Sequence, residues 1–279
     1  MMSKTVFATL PLRLLSAALL LASAAVHAEA PAPEAAKPAP DWVITGNASM
    51  VSDYVFRGVT QTQGKPTGQF NIDWTHAQGL YFGTFGSGVS HAAYNNGSGS
   101  EIDLYGGYRY PLAADTNIDL GLVTYWYAGA HYAADGRDIK YHTQDLKLGY
   151  NGGAFNAYGW LTVSRNWFGF AIDPANGNYT DTRGTTYFEA NWNPEIAPGS
   201  VVNLHIGRQN VRHLEDFNFF DLKVGITKTW DNWVVSASAI HNNGIASKGG
   251  APYWTWFDAD GASKVVVGNR LLVTAGRNF

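Results

Sequence analysis

Glu101-Ile102-Asp103-Leu104-Tyr105-Gly106-Gly107-Tyr108-Arg109-Tyr110 reads as a strand with two unlike faces. Successive strand side chains point to opposite sides, so Ile102, Leu104, Gly106, Tyr108 and Tyr110 share one face, and Glu101, Asp103, Tyr105 and Arg109 share the other. Working outward, the same alternation recurs. Phe70, Ile72 and Trp74 alternate with Gln69, Asn71, Asp73 and Thr75. Ile118, Leu120, Leu122, Thr124 and Trp126 oppose Asp119 and Tyr125, and Leu146, Leu148 and Tyr150 oppose Asp145 and Lys147. Later, Phe188, Ala190 and Trp192 oppose Glu189 and Asn191, Val202, Leu204 and Ile206 oppose Asn203 and His205, and Leu222, Val224 and Ile226 oppose Asp221 and Lys223. Weaker strands fit Trp42 to about Arg57, Leu80 to Ser87, Phe155 to Ser164, Trp233 to Ile240 and Val265 to Phe279. The pass gives about twelve strands, an even number, as in bacterial single-chain membrane barrels.

Connection lengths test this independently, because such barrels have short turns at one end and long loops at the other. Short links fall at His76–Gly79, Pro111–Asn117, Asn151–Gly153, Asn193–Ser200 and Asp231–Asn232. Long links alternate with them at Gly58–Pro66, Gly88–Gly99, Gly129–Thr143, Arg165–Gly184, Gln209–Phe219 and His241–Ser263. The expected fold is therefore all-β: an antiparallel up-and-down transmembrane barrel over residues 41–279, with short periplasmic turns and long extracellular loops.

The N-terminus agrees with export. Lys4 and Arg13 precede an apolar run from Leu14 to Ala25 and then Val26-His27-Ala28, a small-x-small cleavage pattern. Residues 1–28 read as a signal peptide cut after Ala28, and 29–40 as an Ala/Pro-rich periplasmic tether. Cleavage removes both charges before Glu29, making the mature chain two charges more negative than the −3 of the full sequence. An acidic chain is a poor nucleic-acid binder. With no cysteine, the exported fold is not held by disulfides. The 10 Trp, 15 Tyr and 14 Phe beside 31 Gly, in a chain only 15% charged, suit aromatic girdles around a wet interior better than a soluble sandwich. Phe279, with Ala275, Val273 and Leu271 at alternate upstream positions, resembles the terminal signature that such barrels present to their assembly machinery. Arg277 departs from it, and an interfacial position lets an arginine snorkel.

The segment Ser52-Asp53-Tyr54-Val55-Phe56-Arg57-Gly58, followed by Gln61-Thr62, Gly64-Lys65-Pro66, Gln69 and Gly79-Leu80-Tyr81-Phe82-Gly83, resembles the opening of the TorF porin family, also called the Gcw_chp family. These motifs cover about one sixth of the chain closely, and the alternating, aromatic remainder is compatible with the family. The resemblance implies an outer-membrane barrel with a pore. Physically, Gly58 and Gly64 suit a tight loop, Pro66 suits a strand start, and Arg57 is placed to pair with Asp53 on one strand face.

Catalytic patterns are weak. His76, His91, His131, His142, His205, His213 and His241 show no metal-binding spacing, and His241-Asn242-Asn243-Gly244 has no serine where a phospholipase-like site needs its nucleophile. The chain is not expected to be an enzyme, and no cofactor is implied. By parity, Asp73, Glu101, Asp103, Asp119, Asp145, Glu189 and Asp221 face the lumen with Arg109, Lys147, Lys223 and Arg270, since an Arg or Lys facing lipid at midplane costs about 2–4 kcal/mol. Asp145 with Lys147 and Asp221 with Lys223, two residues apart on one face, are expected largely to cancel. The acidic excess points to a narrow, weakly cation-preferring channel for small hydrophilic solutes. The alternative is a non-conducting adhesin, receptor or structural barrel acting through outer loops rich in aromatics: Trp167, Phe168 and Phe170; Phe217, Phe219 and Phe220; Tyr253, Trp254, Trp256 and Phe257.

This topology predicts that protease added to intact cells cuts within Arg165–Gly184 or His241–Ser263. Cleavage confined to Asn151–Gly153 would invert it.

Overall fold

Backbone polar groups have no water to bond with in hydrocarbon, so strands that cross a membrane must pair on both edges until the sheet closes. The computed structural model describes residues 41–257 and 260–279, and it shows that closure. The expected signal peptide and tether lie outside the described residues. Twelve wall strands run in chain order: β1 Trp42–Val51, β2 Thr67–His76, β3 Leu80–Gly88, β4 Ser100–Ala113, β5 Thr116–Tyr127 and β6 Thr143–Gly152 form the first half. β7 Phe155–Thr162, β8 Thr186–Trp192, β9 Ser200–Asn210, β10 Phe219–Trp230, β11 Trp233–Asn242 and β12 Gly268–Asn278 complete it. Each pairs antiparallel with its sequence neighbours, and β12 returns to β1 with Asn47 opposite Asn278 and Val51 opposite Thr274. Gly46 and Phe279 exchange two backbone hydrogen bonds of 3.0 Å at that seam, and Asn47 Nδ2 donates to Asn278 Oδ1 at 2.8 Å.

The ends of the barrel are unequal. Residues 77–79, 114–115, 153–154, 193–199 and 231–232 make the turns at one end, and both ends of the described barrel, Trp42 and Asn278, lie there. The long connections 52–66, 89–99, 128–142, 163–185, 211–218 and 243–267 gather at the other. The first differs from expectation. β1 stops at Val51 rather than continuing to Arg57, so the first long connection begins at Ser52. The last barrel connection also starts later, because His241 and Asn242 still pair in β11.

The alternation decides which side chains meet lipid. Leu104, Leu120, Leu148, Val224 and Leu271 are exposed on the outer wall, as half the positions of a strand must be. Near the turns this wall carries exposed Trp42, Tyr110, Tyr150, Trp192, Trp230 and Trp233. That is the ring-rich band expected where hydrocarbon meets headgroups. Arg277 sits in this band on the outer face, its guanidinium 5.5 Å from the Trp233 ring centre.

Inside, large side chains must cross a narrow space, and glycine makes the crossing possible. Tyr81 of β3 lies over Gly107 of β4 and donates to Asp119 Oδ1 of β5 at 2.7 Å. Tyr105 of β4 crosses Gly83 of β3 to Asp73 Oδ1 of β2 at 2.6 Å, and Tyr187 of β8 crosses Gly207 of β9 to Asp221 Oδ1 of β10 at 2.9 Å. In each case a tyrosine spans one strand to reach a carboxylate on the next. A hydrogen bond to a charged acceptor contributes about 1.5–3 kcal/mol, and a Cβ on the intervening glycine would strike the tyrosine. Gly207→Val is expected to lower the temperature at which the purified barrel loses its compact, heat-modifiable form. Gly68→Ala, on the outer face with Met50 Sδ at 3.7 Å from the added carbon, should barely change it. Equal effects would show that the interior tyrosines have room to move.

Candidate functional site: a loop folded into the lumen

The first long connection, 52–66, does not stay outside. Its centre is a miniature hairpin, Val55–Phe56 against Val59–Thr60, turned by Arg57 and Gly58 at φ 49° and 73°. Two successive residues at positive φ make the tight turn whose twist suits a hairpin. The tip presses against the wall, where a Cβ on Gly58 would lie 2.6 Å from Asp221 Cβ, and Asn242 Nδ2 donates to the Arg57 carbonyl at 3.2 Å.

Arg57 reaches across the lumen. Its Nη2 meets Asp145 Oδ2 at 3.1 Å, its Nη1 donates to Gln209 Oε1 at 3.3 Å, and the guanidinium lies 4.4 Å from the Tyr187 ring centre and 4.8 Å from that of Phe56. Asp53 does not pair with Arg57 as the sequence suggested. Its carboxylate accepts from Thr60, from Thr62 Oγ1 at 2.8 Å and from the Gly64 amide at 3.2 Å, with Arg270 Nη1 at 3.6 Å. Asp53 is thus turned into its own loop, while Arg57 is carried to the tip on the far side of the turn. Tyr54 Oη donates to Glu101 Oε1 at 3.2 Å, and Thr60 N to the Val266 carbonyl at 3.0 Å, so the loop is tied at several heights.

The other motif residues serve its margins. Ser52 N bonds the Val273 carbonyl at 2.9 Å and its Oγ accepts from Val273 N at 3.0 Å, prolonging the β1–β12 seam. Gly64, at φ 78°, and exposed Pro66 lead into β2, where Gln69 Nε2 donates to Ser87 Oγ at 3.2 Å.

The strand residues singled out by parity, Asp73, Glu101, Asp103, Arg109, Asp119, Asp145, Lys147, Glu189, Asp221, Lys223 and Arg270, lie on the interior faces of their strands. Their partners differ from the expected ones. Lys147 Nζ bonds Asp119 Oδ2 at 2.8 Å instead of Asp145, with Arg109 Nε at 3.7 Å from the same oxygen. Asp221 takes Tyr187 and His205 Nε2, the latter at 2.8 Å, instead of Lys223. Residues two apart on one strand are about 7 Å apart, whereas a long side chain reaches diagonally to the adjacent strand. Lys147 opposes Gly121, two residues from Asp119, and His205 opposes Lys223, two residues from Asp221. Glu189 accepts from Trp160 Nε1 at 2.9 Å and lies 3.5 Å from His205 Nδ1. Glu101, 1% exposed, is sealed behind the loop and lines none of the three cavities described below, whereas Asp103, 6% exposed, borders the one of about 350 Å³.

Loop positions escaped the parity argument, which applies only to strands. The sequence does carry a signal for the hairpin: Val-Phe-Arg-Gly-Val-Thr sets two β-favouring pairs around a glycine-containing turn.

Above the tip, the aromatic outer loops fold together. Trp254, 1% exposed, has ring centres of Phe170, Phe219, Phe217 and Trp167 at 5.1, 5.3, 5.5 and 6.3 Å. Phe220 is instead exposed on the outer wall beneath Arg208, and Phe257 is exposed as well. At the rim, Lys248 Nζ reaches both oxygens of Asp216 at 2.8 Å, a bond that holds that carboxyl below its ordinary range and clasps two loops. The loops leave a cavity of about 320 Å³ above Arg57, and two more of about 260 and 350 Å³ lie among the wall residues. Phe56 borders all three, and Arg57 borders the first two.

A closed antiparallel barrel with an apolar outer wall, a charged interior and one inward-folded loop has the fold of outer-membrane porins, and that fold implies an outer-membrane location among lipid. The chain belongs to the family described as "Bacterial protein of unknown function (Gcw_chp)", which it matches over residues 35–267. Among solved structures, the NanC porin is similar at 6% identity and a TM-score of 0.51, over 85% of this chain and 99% of that one. A structure of the KdgM porin in complex with disordered oligogalacturonate gives 8% identity and a TM-score of 0.48, over 85% and 98%. No curated protein matches.

The buried pair Arg57–Asp145, with side chains 6% and 1% exposed, should hold the loop in place. Removing one partner of such a pair costs about 3–5 kcal/mol. Hydrogen exchange of the loop amides, Thr60 to Gly64, should accelerate at least tenfold in Arg57→Gln while wall strands stay protected. An unchanged rate would show that the backbone bonds hold the loop without it.

Proposed function

We propose that this protein is an outer-membrane channel for passive diffusion of small hydrophilic solutes, constricted by the tip of its first outer loop. The observation that carries this reading is the set of cavities on both sides of Phe56 and Arg57: the loop partitions the interior without filling it. The fold shared with the NanC porin supports it. So does the polar lining, since an interior built only as a plug has no need of Lys223, which among the described residues makes no ion pair or side-chain hydrogen bond and borders the 260 Å³ cavity. The solutes are its partners in transport, and the assembly machinery, engaged through Phe279, is its partner in biogenesis.

Weak cation preference belongs to the same reading. Asp53 and Arg57 add one charge of each sign to the interior, so the acidic excess read from the strands persists. Low-dielectric walls concentrate that field. With Glu101 shielded, the charged groups that border the cavities are Glu189 and Asp221 around that of 260 Å³, opposed by Lys223 and Arg57, and Asp103 with Lys147 around that of 350 Å³.

The test is single-channel recording in planar bilayers. A small conductance is expected, with a reversal potential of cationic sign in a salt gradient that moves toward zero in Glu189→Gln. Anion preference in the unmodified protein would overturn the assignment of the lumen. Absence of conductance would favour a receptor-like barrel, for which the aromatic cluster covering the outer mouth is the supporting observation.

A further inference from the structure

The 320 Å³ cavity has an unusual lining for the mouth of a channel for hydrophilic solutes. Rings of Trp167, Phe168, Phe170, Phe217, Phe219 and Trp254 make its wall, and Arg57 is the one cation beside it among the described residues, with no carboxylate in the lining. A sugar would need a hydrogen-bonding partner for each hydroxyl, because a polar group left unpaired in a dry site is costly. Much of the polar lining is already engaged. Gln61 Nε2 donates to the Val59 carbonyl at 2.9 Å and its Oε1 accepts from Tyr94 Oη. Tyr132 Oη donates to the Gly169 carbonyl at 2.6 Å, and Thr255 Oγ1 to the Ala246 carbonyl at 2.9 Å.

Arg57 is different. A guanidinium has five N–H donors, and its side-chain bonds here are one to Asp145 and one to Gln209. Donors remain for an anion arriving from the vestibule. Asp145 is itself held by Thr162 Oγ1 at 2.7 Å, so it does not need the whole guanidinium. The volume fits the same ligand: an apolar cavity of about 150 Å³ takes benzene, and this one holds a ring with a short substituent.

We propose that the outer vestibule is a binding site for small ring-bearing carboxylates, with the ring among the loop aromatics and the carboxylate on the vestibule side of Arg57. This names a solute class for the channel and rests on the porin reading for the onward step into the lumen, not for binding itself.

The experiment is calorimetric titration of the full-length protein in lipid nanodiscs with phenylacetate, benzyl alcohol and glucose. Saturable binding of phenylacetate is expected, benzyl alcohol should bind more weakly, and glucose should not bind. Arg57→Gln, which also loosens the loop, should weaken both ligands but phenylacetate about tenfold more than benzyl alcohol, the usual worth of a charge-assisted contact. Ala93→Trp, which fills the cavity from a half-buried position in another loop and leaves Arg57 itself unchanged, should abolish both and covers the case in which the arginine variant does not assemble. Glucose binding without phenylacetate, equal phenylacetate binding in Arg57→Gln, or full binding in Ala93→Trp would each overturn the proposal. Planar-bilayer recording separates the two readings: conductance without phenylacetate binding removes this inference and leaves the channel, and binding without conductance does the reverse.

Discussion

Everything in this molecule follows from the need to satisfy backbone hydrogen bonds where water is absent. Each unpaired N–H or C=O in hydrocarbon costs several kcal/mol, so β12 must return to β1, and the seam is reinforced by side chains at Asn47, Asn278 and Ser52. Closure then commits every strand to one face in lipid and one inside. That is why the charged residues of this sequence, read at period two, end up enclosed together.

Enclosure creates a second demand. Carboxylates held in a narrow space need donors, and with the wall fixed by pairing these come from side chains that cross it. Tyr81, Tyr105 and Tyr187 do so over glycines, and Lys147 does so diagonally to Asp119. For Asp145, the strong donor comes from a loop. Arg57 is delivered by a hairpin whose own acid, Asp53, is occupied by Thr60, Thr62 and Gly64, so the arginine is free to bond across the barrel.

The wall was legible in the sequence and the loop was not, for a definite reason. A strand's parity is local information: Leu104 and Asp103 point opposite ways whatever else the chain does. Alternate positions and the alternation of link lengths are therefore enough to read a closed barrel. The ion-pair partner of Arg57 lies 88 residues away, and the cation beside Asp53 comes from the last strand. Neither distance is encoded by spacing. The same limit explains why spacing alone pairs Lys147 and Lys223 with acids on their own strands, since parity fixes a face but leaves the choice between a strand neighbour and a diagonal one to the register. The Ser52–Gly58 motif was visible as a pattern, yet its physical meaning, a loop anchored across the lumen through its tip, needed the wall around it.

Division of labour between wall and loop bears on selectivity. In a wide barrel the strand charges set the field a solute meets, because open water separates them from any loop. With twelve strands the lumen is narrow enough for one hairpin to cross it, and a charge at the tip is worth more than a charge on the wall because its distance to the solute is shorter and less water screens it. Arg57 occupies that position and is half answered by Asp145. On the proposed channel reading, a passing cation meets a paired arginine rather than a bare one, and the residual field comes from charges such as Glu189, Asp221 and Lys223. On that reading, the field at the constriction therefore depends on how completely this one buried pair cancels, and the wall charges act on a solute through what the pair leaves.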